Sequence, residues 1–339
     1  MQLYKLVRLS ILPLIFIMFT GTAFSNEVNV YSYRQPFLIQ PMFDAFTKES
    51  GIDVNVVFAK KGLSERLVRE GKNSPADLVF TVDIGRLMDV VNKDLVQSVN
   101  TQLLTENIPS QYRDPEGKWF GLTTRTRSIY VSKARANLSE IQNYEDLSKP
   151  VWKGRICTRS GKHPYNLALI ASMIAHHGEE KATEWLKGVK ANLARKPQGN
   201  DRAQVKAIKE GVCDLSLGNN YYYGKMLNNP DQVEWANAVH ITFPNQSNRG
   251  THVNISGMAL TSSAPNKDNA IKLMEFLSEK FAQKMYSSDN FEYPVNPSVK
   301  PSALLQSWGS FKSDHLPLSE IAKLRKQAAI IVDQIGFDE

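Results

Sequence analysis

The sequence predicts an α/β protein of two lobes with a cleft between them, each lobe a mainly parallel sheet flanked by helices. Strand-like and helix-like segments alternate in two blocks, one within the first hundred residues and one after residue 150. Extended stretches interrupt this rhythm between the blocks and after the second, where crossings between lobes belong. The length of 339 residues also exceeds the roughly 250–300 at which one hydrophobic core usually divides.

The chain opens with Lys5 and Arg8, an apolar run from Leu9 to Phe19 and the small-residue stretch Gly21-Thr22-Ala23-Phe24-Ser25. This is the order of a secretory signal peptide, so residues 1–25 are expected to be removed and the mature chain to start near Asn26. No later run reaches the roughly 18 apolar residues that span a bilayer, so a soluble protein outside the cytoplasm is expected. Val28 to Tyr31 reads as a strand, and the helix Phe37 to Ser50 puts Ile39, Met42, Phe43 and Phe46 on one face. Strands at Ile52–Phe58 and Ala76–Phe80 alternate with helices at Leu63–Glu70 and Ile84–Val91. Trp119–Leu122 and Ser128–Val131 are extended around Thr123-Thr124-Arg125-Thr126-Arg127 and form the first crossing.

The second block runs strand Gly154–Thr158, helices Tyr165–His176, Glu179–Asn192 and Asp201–Glu210, strand Val212–Leu217 and helix Tyr221–Leu227. Val239–Phe243 and Ile255–Leu260 return the chain to the first lobe, before helix Lys267–Ser278 and a helical tail, Leu318–Ile335. The expected division is a first lobe of residues 26–124 and 246–300, a second of 125–245 and a C-terminal helical segment of 301–339.

With 42% hydrophobic and 22% charged residues the composition excludes disorder and collagen. The formal charge of +7 falls to +5 when Lys5 and Arg8 leave with the leader. The remaining basic residues are dispersed without aromatic interleaving, which argues for a solvated surface and against nucleic acid as a partner. Phosphate-loop, nucleophile-elbow and zinc-helix motifs are all missing, so an enzyme is not expected. His176-His177-Gly178-Glu179-Glu180 reads as the end of one helix and the start of another rather than a metal site.

Tyrosine carries the functional signal. Tyr221-Tyr222-Tyr223-Gly224 follows a strand and the turn Gly218-Asn219-Asn220, at the carboxyl edge where open α/β sheets bind ligands. Packing is the alternative, favoured for Tyr223, but burying all three phenols needs three hydroxyl partners. Tyr165 stands in an equivalent place, since Cys157 to Tyr165 and Cys213 to Tyr221 are both eight residues. Neighbouring parallel strands would therefore bring these phenols to one rim. Phenol ionises near pH ~10, so only a strongly Lewis-acidic cation holds several phenolates at neutral pH, and Fe(III) fits best. Arg34, Arg125 and Arg127 lie at the first strand end and the first crossing, where they can face the cleft and balance an additional anion, a surface arginine being the alternative for each alone.

Tyr31-Ser32-Tyr33-Arg34, Thr123 to Arg127, Arg159-Ser160-Gly161-Lys162-His163-Pro164-Tyr165-Asn166, Asn192-Leu193-Ala194-Arg195 and Asn219 to Gly224 together resemble the ferric-ion-binding periplasmic proteins of bacterial iron ABC transporters. The resemblance covers essentially the whole mature chain. It implies a two-lobed periplasmic-binding-protein fold of type II-like character, a periplasmic, monomeric protein, and delivery of Fe(III) to an inner-membrane ABC permease. By position it puts the metal ligands at Tyr165, Tyr221 and Tyr222. Many relatives carry His-Tyr after the first arginine, where this chain has Arg34-Gln35-Pro36, leaving Tyr33 and Gln35 as the candidates for a first-lobe ligand. Carbonate or bicarbonate, another small anion or water then completes the coordination, stabilised by Arg34 with Arg125 or Arg127.

Cys157 and Cys213, on strands placed side by side in an oxidising compartment, are expected to form a disulfide, with buried thiols as the alternative. Two other readings stand beside the ferric one: a bilobal binding protein for a small organic or inorganic anion and, last, a secreted hydrolase, for which no nucleophile and base appear.

Overall fold

The structure, a computed structural model, describes residues 26–339; the leader assigned to residues 1–25 lies outside the described residues. The chain begins β1 (Glu27–Ser32), α1 (Pro36–Ser50), β2 (Asp53–Phe58), α2 (Leu63–Glu70), β3 (Leu78–Thr81) and α3 (Ile84–Asn92). Pro36 presets the first turn of α1, Ile39, Met42, Phe43 and Phe46 form its buried face, and Gly51 ends it at φ 70°. A short β4 (Val96–Gln97) and α4 (Gln102–Asn107) precede β5 (Phe120–Ser132).

The expected first crossing is thus one strand of 13 residues, buried throughout. From Phe120 to Thr126 it pairs with a later strand, β9, and from Arg127 to Val131 with β7. The chain continues through β6 (Ile156–Cys157), α5 (Pro164–Ala191), α6 (Asp201–Lys209), β7 (Leu215–Asn219), α7 (Asn220–Leu227), α8 (Val233–Asn237), β8 (Val239–Thr242) and β9 (Val253–Thr261). The two helices expected over 165–192 are present as the two arms of α5, separated at Gly178, whose φ of 80° is not helical. α9 (Lys267–Ser278), α10 (Lys280–Asp289), β10 (Tyr293–Pro294), α11 (Ala303–Ser307) and α12 (Leu318–Gln334) complete the fold.

The strand order is β2-β1-β3-β9-β5-β7-β6, with β4 on β9 and with β8 and β10 on β5. β1 is parallel to β2 and β3, and β6 to β7, while β9 and β5 run antiparallel between these two parallel groups. One core, containing Phe43, Phe80, Met258 and Leu273, lies on one side of the β1–β3 group. A larger core runs from Leu67 and Leu87 through Ile331 and Val332 of α12 to Ile129, Leu215 and Trp185. Cys157 and Cys213 form a disulfide, with Cα atoms 5.9 Å apart. No helix of the described residues is long and apolar enough to cross a membrane.

Candidate metal centre

Two parallel strands, β6 and β7, set the site. The loop after β6 ends at His163, whose Nδ1 accepts from the Tyr165 amide at 3.3 Å, and Pro164 opens α5. After β7 the chain enters α7 at once, so Tyr221 and Tyr222 lie in its first turn. The equal offsets bring the phenols together: the Tyr221 hydroxyl donates to that of Tyr165 at 3.1 Å. The rings of Tyr221 and Tyr222 have centroids 4.3 Å apart. Tyr223 points elsewhere and packs on Tyr130 and Trp308, the packing role expected of it. Burial first, and then the neighbouring phenols, push the Tyr221 hydroxyl well above its ordinary pKa, and burial and Tyr165 do the same to Tyr222.

Four guanidiniums surround the tyrosines in two groups. Arg127 donates to Asp201 at 2.7 Å, to Asn219 Oδ1 at 3.0 Å and to Asn166 Oδ1 at 2.7 Å. Arg159 reaches the other oxygen of Asp201 at 3.3 Å, and both guanidiniums lie within 6 Å of the Tyr165 ring centre, at 5.9 and 5.4 Å. In the second group Arg34 pairs with Glu292 at 3.0 Å and also bonds Ser256, while Arg125 donates to the same Ser256 hydroxyl at 2.6 Å. Thr123 donates to Glu292 at 2.7 Å. Burial opposes ionisation of Asp201 and Glu292, but the paired arginines outweigh it and hold both carboxyls below their ordinary pKa.

Four arginines facing two carboxylates leave two positive charges unbalanced in this cluster. Arg125 also keeps Nε and Nη1 buried without a partner among the described residues. Arg125, Arg127, Tyr165, Asn219, His252 and Asn254 line a cavity of about 10 Å³. Buried unpaired donors are costly, and these suit an anion.

The first-strand candidates are placed differently. The Tyr33 hydroxyl accepts from the Leu63 and Ser64 amides, both at 3.1 Å, at the start of α2. Gln35 is exposed at the N-cap of α1 and makes no side-chain capping bond. His176 pairs with Asp314 at 2.7 Å and His177 with Glu145 at 2.8 Å. Among the described residues no group of three or more His, Cys, Asp or Glu is arranged to hold a metal ion. Asp201, Glu292 and His252 were not singled out by the sequence. Arg159 was within reach, since it opens the run that ends at Tyr165.

The profile of a family described as bacterial extracellular solute-binding protein matches residues 73–309. Iron uptake protein A1 of Synechocystis sp. is 41% identical over 315 residues, covering 92% of this chain and 88% of that protein. Apo ferric ion-binding protein A of Pasteurella haemolytica superposes with a TM-score of 0.89 at 54% identity, over 93% of this chain and 99% of its own. A Trichodesmium protein solved in complex with iron and citrate ligands gives a TM-score of 0.87 at 42% identity, over 92% and 99%. The two-lobed fold expected from the alternating blocks is the fold of these structures. Matched along most of its length in both sequence and architecture, the chain belongs to the bacterial extracellular solute-binding protein family.

Proposed function

We propose that the protein is the periplasmic binding component of a ferric-iron ABC transporter, taking up Fe(III) and handing it to an inner-membrane permease. Tyr165, Tyr221 and Tyr222 are its ligands, as phenolates. The observation that carries this reading is the 3.1 Å approach of two hydroxyls delivered by separate loops, in a place where burial opposes ionisation. A phenol in such a place loses its proton to a strongly Lewis-acidic ion and keeps it otherwise. Hard oxygen donors favour Fe(III) over the softer metals that seek thiolate or imidazole.

Three phenolates neutralise a trivalent ion, and the two unbalanced positive charges of the arginine groups then call for a small dianion. Carbonate fits that charge, and a carboxylate chelator such as the citrate of the Trichodesmium protein is the alternative anion. The Tyr33 hydroxyl is already engaged by two amides, so the first lobe acts through Arg34 and the anion it holds together with Arg125, which lies where β5 still pairs with β9. The deciding experiment is metal analysis with a visible spectrum of purified protein titrated with Fe(III), with and without bicarbonate or citrate. One iron per chain and a phenolate-to-iron charge-transfer band, stronger with the anion, are expected. A protein that binds the anion but stays colourless and iron-free overturns the reading in favour of a small-anion carrier.

A further inference from the structure

We propose that the segment after α12, Asp338 above all, positions the loop that delivers Tyr165, making that segment a working part of the ferric site. The inference rests on the ferric reading above. Residues 159–163 lie between β6 and α5 and belong to no sheet ladder, so something other than strand pairing must fix them. The Asp338 carboxylate does so from outside. It accepts from the Ser160 hydroxyl at 2.5 Å and from the amides of Gly161 at 2.6 Å and Lys162 at 3.5 Å.

Two further contacts close the clamp. Lys162 Nζ pairs with Asp333 at 2.5 Å. Phe337 and Val332 pack so closely on Gly161 that a Cβ there would lie 2.7 Å from the Phe337 ring and 3.0 Å from Val332. From the inner side Asn166 Nδ2 donates to the carbonyls of Arg159 at 3.0 Å and Ser160 at 3.1 Å, while its Oδ1 accepts from Arg127. The loop is therefore held between a guanidinium facing the tyrosines and a carboxylate just beyond α12, and Tyr165 follows four residues after Gly161. The clamp is itself fixed to the body of the protein: Lys190 Nζ donates to Ile335 O at 2.8 Å, and Arg325 of α12 reaches Asp83 at the start of α3 at 3.4 Å.

Asp338 touches no ligand and acts through Tyr165, so it is a positioning residue. Partners that orient metal ligands typically contribute about 10–100-fold to affinity, and about tenfold is expected here. Full-length Asp338→Ala, Asp338→Asn, Tyr165→Phe and Asp338→Ala/Tyr165→Phe proteins are titrated with Fe(III) against ethylenediaminetetraacetate at fixed bicarbonate, reading the charge-transfer band, and each is unfolded thermally. Asp338→Ala should lose about tenfold in iron affinity and shift or weaken the band, and the near-isosteric Asp338→Asn should lie between it and the unaltered protein. In the Tyr165→Phe background the Asp338 substitution should cost little further. An Asp338→Ala protein with unaltered affinity and band overturns the inference, as does an equal loss in both backgrounds. An unaltered protein that shows no band overturns the ferric reading itself, and the inference with it.

Discussion

Asp201 and Glu292 each hold two arginines with almost no exposure to water, so their loss strands charge in the interior. Asp201→Asn should destabilise the fold by about 3–5 kcal/mol in denaturant unfolding, since breaking a buried pair leaves its partners uncompensated. Both carboxyls have folded pKa values below their unfolded ones, so the stability they confer is present above pH ~4 and lost as pH falls further. His252 loosens the fold earlier. Burial holds its pKa at about 4. The unfolded chain therefore takes up a proton below pH ~6.5 while the folded one does not, and stability falls across that window. A His252→Gln protein should show a flatter decline of the thermal midpoint between those pH values. Phenols work in the opposite currency, because each must release a proton to bind Fe(III). Iron affinity should rise with pH, and Tyr165→Phe or Tyr222→Phe should bleach or shift the band; an unchanged band in both would remove them as ligands. The tyrosines were legible because a repeated eight-residue offset is a local signal. Glu292 was not, since it meets Arg34 across 258 residues and nothing near either residue announces the other.

Among the elements, β6 and the entry to β7 are tied by the disulfide, which closes a loop of 56 residues. In the chain-entropy account this contributes about 4 kcal/mol. Reduction, or Cys157→Ser with Cys213→Ser, should lower the thermal midpoint and weaken iron binding, because the linked strands carry both tyrosine loops. Two titratable thiols in the unfolded, unreduced protein would reject the bond. α7 depends on a close approach as well: a Cβ on Gly224 would overlap the ring of Phe291, a residue at φ 58°, where side chains are rarely tolerated. Gly224→Ala should displace the turn that bears Tyr221 and Tyr222 and lower iron affinity more than thermal stability. Helical periodicity made α1 readable to within a residue or two, since its four buried apolar positions share one face. β5 was harder, because a strand buried on both sides has no polar alternation to mark its extent. α10 follows α9 after one residue, Glu279, and without a glycine or proline to separate them its start left no trace.

At the scale of the whole molecule, β5 changes partner from β9 to β7 between Thr126 and Arg127, two residues beyond the lobe boundary read from the sequence, and α12 lies against both α3 and α5. If the first lobe grips iron only through an anion held by its arginines, then Fe(III) and anion together should favour the closed form more than Fe(III) alone. Small-angle scattering should show the larger compaction only with both present; full compaction on iron alone would point to a direct first-lobe ligand. If the lobes hinge where β5 passes from β9 to β7, the pivot falls between Thr126 and Arg127. Arg125 and Arg127 stand on either side of it and project to the same face of the strand. One is bonded to Ser256 of β9, the other to Asn219 of β7. A rotation about that point would carry the two cations in different directions and disperse the positive charge they present together. If Arg125 and Arg127 hold the anion of the proposed site, parting the lobes at this point also weakens the grip on it, and release needs no separate trigger.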